Sequence, residues 1–526
     1  MKPVEAMVLL LCAVVGVALL GRRLKLPYPI ALVIGGLGIS LVPGLPAVRI
    51  NPDLVFLLFL PPLLYAAGWL TSWHDFRANL RSIFLLAFGL VLFTTLVVGV
   101  VLHALIPAVP LSLAFAFGAI VSPPDAVAAT AIARQVHLPK RIVTVLEGES
   151  LVNDATGLIA LRFALAAAAS GVFSAGQAAL AFTWVAGGGL ALGVGVAMVV
   201  VLITRRIKDD LVLITISLLI PYIAYLPAER LHVSGVLATV AAGIFGGWNG
   251  PELLNARTRL NATAVWNLLV FLLNCVLFIL IGLELPDVVQ ALRHYSAGQI
   301  IAYGAIVSAV VILIRPVWVF PATWLPRLLS RRLRQRDPIP PWRHVLIVAW
   351  SGMRGVVSLA AALALPVNLR DGQPLPERDL LIFLTFCVIL STLVLQGLSL
   401  PMLIRWLGIK VRHDAKHERE ARLKLAHAAL AHLNEAATRG SRHDAALRQV
   451  TALYQDRIRS LNDDLADVLG WSDQLEHLVA ARRLRLDGLD AERRELIKLR
   501  REHHVDEELM HKLERELDLE ETRLRA

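Results

Sequence analysis

From Met1 to about Gly408 the sequence is a succession of apolar runs of roughly 17 to 27 residues joined by short connectors, each long enough to cross a bilayer as a helix. That succession leaves few folds open. No water is present in the hydrocarbon layer to satisfy backbone N–H and C=O groups, so runs of this length must close their hydrogen bonds internally, as helices. The expected class is an all-α polytopic membrane protein, and 56% hydrophobic residues and a mean hydropathy of +0.64 exclude an ordinary soluble domain. Beyond Lys410 no spanning run occurs. The expected division is a transmembrane domain over 1–408 and a cytoplasmic helical tail over 409–526, regulatory or associated with a dimer. Lys and Arg number 29 against 17 Asp and Glu through residue 408, and 23 against 24 after it. The basic excess thus belongs to the membrane part, which points to lipid contact and orientation signals and away from nucleic acid.

Thirteen spans fit the pattern. Alternate connectors, including GRRLK, RRIK and the loop from Arg327 to Arg343, carry 19 Lys and Arg, whereas the opposite set carries six. Cytoplasmic loops hold the basic excess, so the N-terminus is expected outside and the tail in the cytoplasm, in a multi-pass protein of the cell membrane. The first run lacks a small-residue cleavage site followed by a soluble domain and reads as a retained span. Cys12, Cys275 and Cys387 all lie in apolar runs and read as small buried hydrophobes, not a disulfide framework.

Two spans are interrupted. The fifth contains AIVSPPDAVAATAI, where Pro123 and Pro124 remove two backbone donors beside Asp125, and the twelfth contains AWSGMRGVVSLA, where Gly352 and Gly355 bracket Arg354. Being seven spans apart, they run in opposite directions, as an inverted-topology repeat requires, and such paired broken helices point to a transporter's midplane site. Span six, LEGESLVNDATGLIALRF, adds Glu147, Glu149, Asp154 and Arg162 within hydrocarbon, where each unpaired charge is costly. At 100° per residue Glu147, Ser150 and Asp154 share one face, and Glu149 and Asn153 share a neighbouring face. The first face offers oxygens to a hard cation such as Na⁺, with Asp125, Ser122 and carbonyls of the broken span five completing the set; the second carries a carboxylate that could pair with Arg354. A proton and a cation competing for those oxygens at a site open alternately to each side suffice for exchange. Glu147 admits a snorkelling role near the headgroups or a place on the ion path. Arg315 reads either as a structural partner of unwound carbonyls or as part of that path, and Arg162 as an interfacial or subunit contact. No phosphate-binding loop occurs in the tail, so nothing suggests ATP, and no cofactor is expected.

The ordered motifs FLPPLLYAAGW, GAIVSPPDAVAATAIA, LEGESLVNDATGL, HVSGVLATVAAGI, FLLNCVLFILIGLEL and SGMRGVVSLA resemble the sodium/proton exchanger family of the monovalent cation:proton antiporter superfamily, in its bacterial branch. The resemblance implies that Asp154, beside Asn153, binds cation and proton, that Ser150 is a cation ligand, and that Glu149 pairs with Arg354. It also implies a homodimer, a dimer domain against which a mobile core rocks, and electroneutral exchange of Na⁺, with Li⁺ or K⁺ as alternatives, serving pH and cation homeostasis. Two positions depart from the family's pattern: Pro124 stands for a Thr, and Ala66 for an acidic residue. Both bear on which ion is taken, and a K⁺-preferring exchanger is the alternative.

Other classes account for the same residues less completely. Asp125 and Asp154 could form an intramembrane aspartyl protease dyad, but the Gly-x-Gly-Asp signature is missing and Glu149, Ser150 and Arg354 would go unexplained. A gated cation channel would conduct without a counter-ion. Transport by exchange is therefore expected, and no enzymatic reaction. In the tail, Gly440 and the segment around Gly470 separate helical pieces, and nine of the fifteen histidines, including His503 and His504, lie there. These admit pH sensing, and the charged periodicity admits coiled-coil association.

Overall fold

The computed structural model describes residues 3–24, 26–41, 55–125, 127, 129–130, 138–170, 175–292, 295–368, 374–409, 415–438, 444–467, 484–492, 494–496, 513, 516–521 and 524. Gly440, Gly470, His503 and His504 lie outside them. The regular elements among the described residues are helices, with one isolated bridge between Asn368 and Pro374. The chain divides into two compact units, Met1–Val411 and Arg412–Ala526.

The first unit opens with α1 (Pro3–Arg23), α2 (Tyr28–Ser40) and α3 (Leu60–Leu70). Next come α4 (Leu80–Leu105), α5 (Leu111–Val121), α6 (Lys140–Ser170) and α7 (Ala175–Thr204). They are followed by α8 (Asp210–Arg230), α9 (Gly235–Leu253), α10 (Ala256–Ala291) and α11 (Ala297–Leu329). The series ends with α12 (Trp342–Trp350), α13 (Val356–Leu363) and α14 (Arg378–Leu407). The all-helical class is as expected, while parts of the second and fifth expected spans lie outside the described residues. Seven of the helices, α4, α6, α7, α8, α10, α11 and α14, are long and apolar enough to cross a membrane. Three of them start at polar caps: Asp209 accepts from Leu211 N and Val212 N before α8, Asn255 accepts from Thr258 N at 2.8 Å before α10, and Ser296 and Gln299 form a reciprocal capping box before α11.

The helices sort into two packed groups. In one, α2 lies along α10, α3 along α9, and α7 and α8 flank α9. The approach of α2 to α10 is close: a Cβ at Gly36 would meet the Ile279 carbonyl, and one at Gly282 the carbonyl of Val33. Small residues permit this because lipid supplies no hydrophobic drive between helices, leaving close contact as the source of adhesion. In the other group α5 packs between α4 and α6, while α11 contacts α12 and α14, and α14 contacts α13. Leu102, Phe117, Val311 and Leu384 are fully buried in that group's core. It contains two three-span sets, α4 to α6 and α11 to α14, each with one interrupted member.

In the second unit α15 (Ala415–Thr438) packs against α16 (Asp444–Asp467).

Candidate functional site: a crossing of two broken helices

The interruption after α5 follows from its sequence. Pro123 and Pro124 cannot donate, so the helix stops at Val121, and Ser122 turns its hydroxyl back to the Ala119 carbonyl at 3.0 Å. The second interruption, Ser351–Gly355, lies against the first. Asp125 N donates to Met353 O at 2.7 Å, and Arg354 Nε donates to Val121 O at 3.0 Å. Arg354 also bonds the Gly352 carbonyl through Nη1, and its own backbone N–H donates to Thr392 Oγ1 at 3.0 Å. Each break thus supplies partners for the carbonyls and donors that the other leaves unpaired. A guanidinium at the end of α5 also opposes the negative end of that helix dipole. Gly355 is required here: a Cβ at that position would collide with the Asp125 carboxylate, which sits at the start of α13.

Span six supplies the remaining groups. Asn153 Nδ2 donates to the Pro124 carbonyl at 2.8 Å, while its Oδ1 is buried and has no hydrogen-bond partner among the described residues. Asp154 is 8% exposed and close enough to Asp125 for the two charges to interact. Asp125 Oδ1 accepts from Val127 N at 2.7 Å, which leaves its other oxygen uncommitted to that turn. Two carboxylates and an unspent amide oxygen therefore lie at or beside the point where both helices are broken, while the Ser122 hydroxyl is turned back on its own helix. Like charges sharing a buried site need a compensating cation, and a proton or a hard metal ion fits such oxygens.

The structure corrects the expected ion pair. Glu149 is held by Arg315, not by Arg354: Nη1 reaches Oε1 at 2.6 Å and Nη2 reaches Oε2 at 2.7 Å, with both side chains 1% exposed. Arg315 Nε donates further to Val348 O at 3.1 Å, a carbonyl in the last turn of α12. The geometric reason is that Arg354 turns toward the end of α5 and spends its donors on carbonyls there, whereas Arg315 enters from α11 at the level of Glu149. Of the two readings open for Arg315, the structural one describes its contacts.

Ser150 and Glu147 lie apart from the crossing, on a cavity of about 430 Å³. Ala66, Thr130, Asn267 and Asn274 share its lining. The cavity reaches from Tyr28, Leu70 and Thr263, near the helix ends that follow or precede basic connectors, to one turn below Asp154. At the opposite end of α6, Arg162 Nη2 meets Glu229 Oε2 at 2.7 Å, joining α6 to α8 and so one packed group to the other. The sequence reading had no partner for Arg162. Thr392 was also missed: it sits in a π turn, Thr392–Gln396 of α14, whose only sequence signal is a polar pair, Thr392 and Gln396, inside an apolar run.

Residues 7–406 match a family model described as sodium/hydrogen exchanger, transmembrane. An uncharacterized Na⁺/H⁺ exchanger of Mycobacterium tuberculosis is 35% identical, over 98% of this chain and 95% of the relative. A sodium, potassium, lithium and rubidium/H⁺ antiporter of Bacillus subtilis is 38% identical, over 75% of this chain and 61% of its own length. The solved sodium proton antiporter MjNhaP1 of Methanocaldococcus jannaschii superposes with a TM-score of 0.60 at 20% identity, covering 78% of this chain and all of that one, a likeness of fold.

Proposed function

We propose that this chain, which belongs to the sodium/hydrogen exchanger family, exchanges Na⁺ for H⁺ across the cell membrane by alternating access at the crossing of its broken helices. Asp154 is the group that takes proton and cation in turn. Asp125, Ser122 and the Asn153 amide oxygen neighbour it, and Ser150 receives ions from the cavity. The observation that carries this reading is Asp154, 8% exposed and within electrostatic reach of Asp125, set where the Val121–Asp125 and Ser351–Gly355 breaks bond one another.

The positive-inside rule assigns the cavity end to the cytoplasm. The access path is then open inward as far as Ser150, and the Arg162–Glu229 pair closes the outer end. The N-terminus is outside and the tail in the cytoplasm, where α15 and α16 serve regulation or dimer contact. A homodimer would hold one helix group still while the other rocks. The Asn153–Asp154 pair, with a neutral amide where the family resemblance gives electrogenic exchangers a second aspartate, favours one-for-one exchange without net charge, in the service of pH and cation homeostasis. K⁺ as an additional substrate is favoured by one observation: Ala66, at a position where the family resemblance implies an acid, lines the cavity and leaves it with fewer charges to select against larger ions.

The test is intravesicular pH in proteoliposomes after external Na⁺, then K⁺, with the membrane potential clamped. Asp154→Asn is expected to abolish cation-driven proton movement while leaving an assembled protein of unchanged elution volume. Retained exchange in that variant would remove Asp154 from the site, and flux of wild type without a counter-ion would mark a channel.

A further inference from the structure

A second cavity, of about 340 Å³, lies at the end of the bundle that carries the basic connectors, between the starts of α4, α6 and α12 and the end of α11. Its deep walls are apolar, formed by Leu86, Val145, Val319 and Val348, and its rim carries Arg141 and Arg327. Both rim guanidiniums reach a single carboxylate: Arg141 Nη2 meets Asp337 Oδ1 at 2.6 Å, and Arg327 Nη2 meets Asp337 Oδ2 at 2.5 Å. Lys140, the next cation along, is taken by Asp75 at 2.6 Å. A third guanidinium, that of Arg81, is within electrostatic reach of Arg327 and Asp337, and its Nη1 and Nη2 are buried with no hydrogen-bond partner among the described residues. Arg141 also donates through Nε to Asn79 Oδ1, and Arg327 to the Thr323 and Asp337 carbonyls. Arg81, next to the cavity-lining Ser82, is therefore the guanidinium that keeps two desolvated nitrogens with nothing to donate to among the described residues. Buried donors without acceptors are costly, so a site that retains them is built for an acceptor that comes and goes.

We propose that this cavity binds a phosphate-bearing anion, supplied in the membrane by an anionic phospholipid whose headgroup meets Arg81, Arg141 and Arg327 and whose first methylenes enter the apolar slot. Guanidiniums match phosphate oxygens in paired hydrogen bonds, and basic pockets between membrane helices on the cytoplasmic side take such headgroups. The surroundings favour a lipid over a free ion. Ile339, in the cavity's lining, is 40% exposed, and Leu80 and Leu328, each within two residues in sequence of a lining residue, are exposed apolar side chains that acyl chains can cover. Occupancy has a route to the exchange site without touching it. Val348 lines the cavity, and its carbonyl receives Arg315, which holds Glu149. A bound lipid would brace the inner half of the broken twelfth span against α6 and α11.

The test uses the full chain, purified into neutral phosphatidylcholine nanodiscs and into nanodiscs containing increasing phosphatidylglycerol with the same acyl chains. The readouts are the tryptophan-fluorescence unfolding midpoint and lipid retention by native mass spectrometry. Phosphatidylglycerol is expected to raise the midpoint saturably and to be retained. Arg81→Gln is expected to weaken this response roughly tenfold, the loss of a charge-assisted contact, with its midpoint in phosphatidylcholine unchanged. Arg81→Lys, which keeps the charge and occupies similar space, should recover part of the response and controls for misfolding. A parallel titration with inorganic phosphate separates the sources: protection by millimolar phosphate that Arg81→Gln abolishes would assign the site to the free anion. Equal midpoints in both lipids with no effect of phosphate, or an Arg81→Gln response identical to wild type, would overturn the proposal. Because binding is read without ion flux, it stands or falls independently of the exchange reading.

Discussion

At the scale of single residues, the pairing of Glu149 with Arg315 carries the clearest energetic consequence. Removing one partner of a buried, doubly hydrogen-bonded ion pair leaves an uncompensated charge and costs about 3–5 kcal/mol. Arg315→Ala is therefore expected to lower the thermal midpoint sharply, and the double variant Arg315→Met with Glu149→Met to recover much of it. Arg354→Ala should be less damaging to stability and more damaging to exchange, since it uncaps Val121 at the crossing. Equal destabilisation by the two alanine variants, measured by unfolding in detergent, would contradict this assignment. The sequence made the carboxylate legible and left its partner open. Glu149 stands out because charge inside an apolar run demands an explanation. Arg315 and Arg354 are both fully buried arginines on neighbouring spans, and which one reaches Glu149 depends on the depth at which α11 and α12 pass α6, a quantity fixed by packing and not by spacing.

At the scale of elements, both interruptions were readable from Pro123–Pro124 beside Asp125 and from Gly352 and Gly355 around Arg354, because the helix-weakening residues there coincide with charge inside an apolar run, unlike the lone Pro221 and Pro321 that α8 and α11 accommodate. That each break caps the other was not readable, since it rests on a contact between segments far apart in sequence. The same limit hid the Arg162–Glu229 contact. This pair joins α6 to α8 with side chains 53% and 32% exposed, and pairs of that exposure contribute only about 0.2–1 kcal/mol. It is suited to a closure that must open on every cycle. With the native cysteines replaced, a cysteine at Leu158, one turn from Arg162, is expected to react faster with an impermeant thiol reagent added outside when Arg162 is changed to Ala. The increase should be roughly twofold to fivefold, the population shift such an energy allows. An unchanged labelling rate would show that the pair does not hold the outer end shut.

At the scale of the whole molecule, the loop between α11 and α12 ties together elements that the apolar pattern treats as separate. Burial alone would raise the Asp337 carboxyl, but hydrogen bonds and charge from Arg141, with Arg327 beside it, override this and hold it below the usual carboxylate range. A depressed folded value means that the stabilisation is complete above the ordinary carboxylate value, about 4, and fades as pH falls through the lower folded value. The difference in unfolding midpoint between wild type and Asp337→Asn is expected to be constant from pH 7 to about 5 and to vanish in stronger acid; a difference that grew on acidification would contradict it. The crossing has a further consequence for how the chain is made. Asp125 leaves the ribosome some two hundred residues ahead of Met353, whose carbonyl accepts the hydrogen bond from its backbone N–H. At about 5–20 residues per second, the first break waits for its complement for roughly ten to forty seconds. During that interval a carboxylate and loose backbone groups stand in or beside the bilayer without their eventual partners. Biogenesis therefore depends on something holding the early helices until the late ones arrive, and a nascent chain halted before α12 should be the form that membrane quality-control proteases remove.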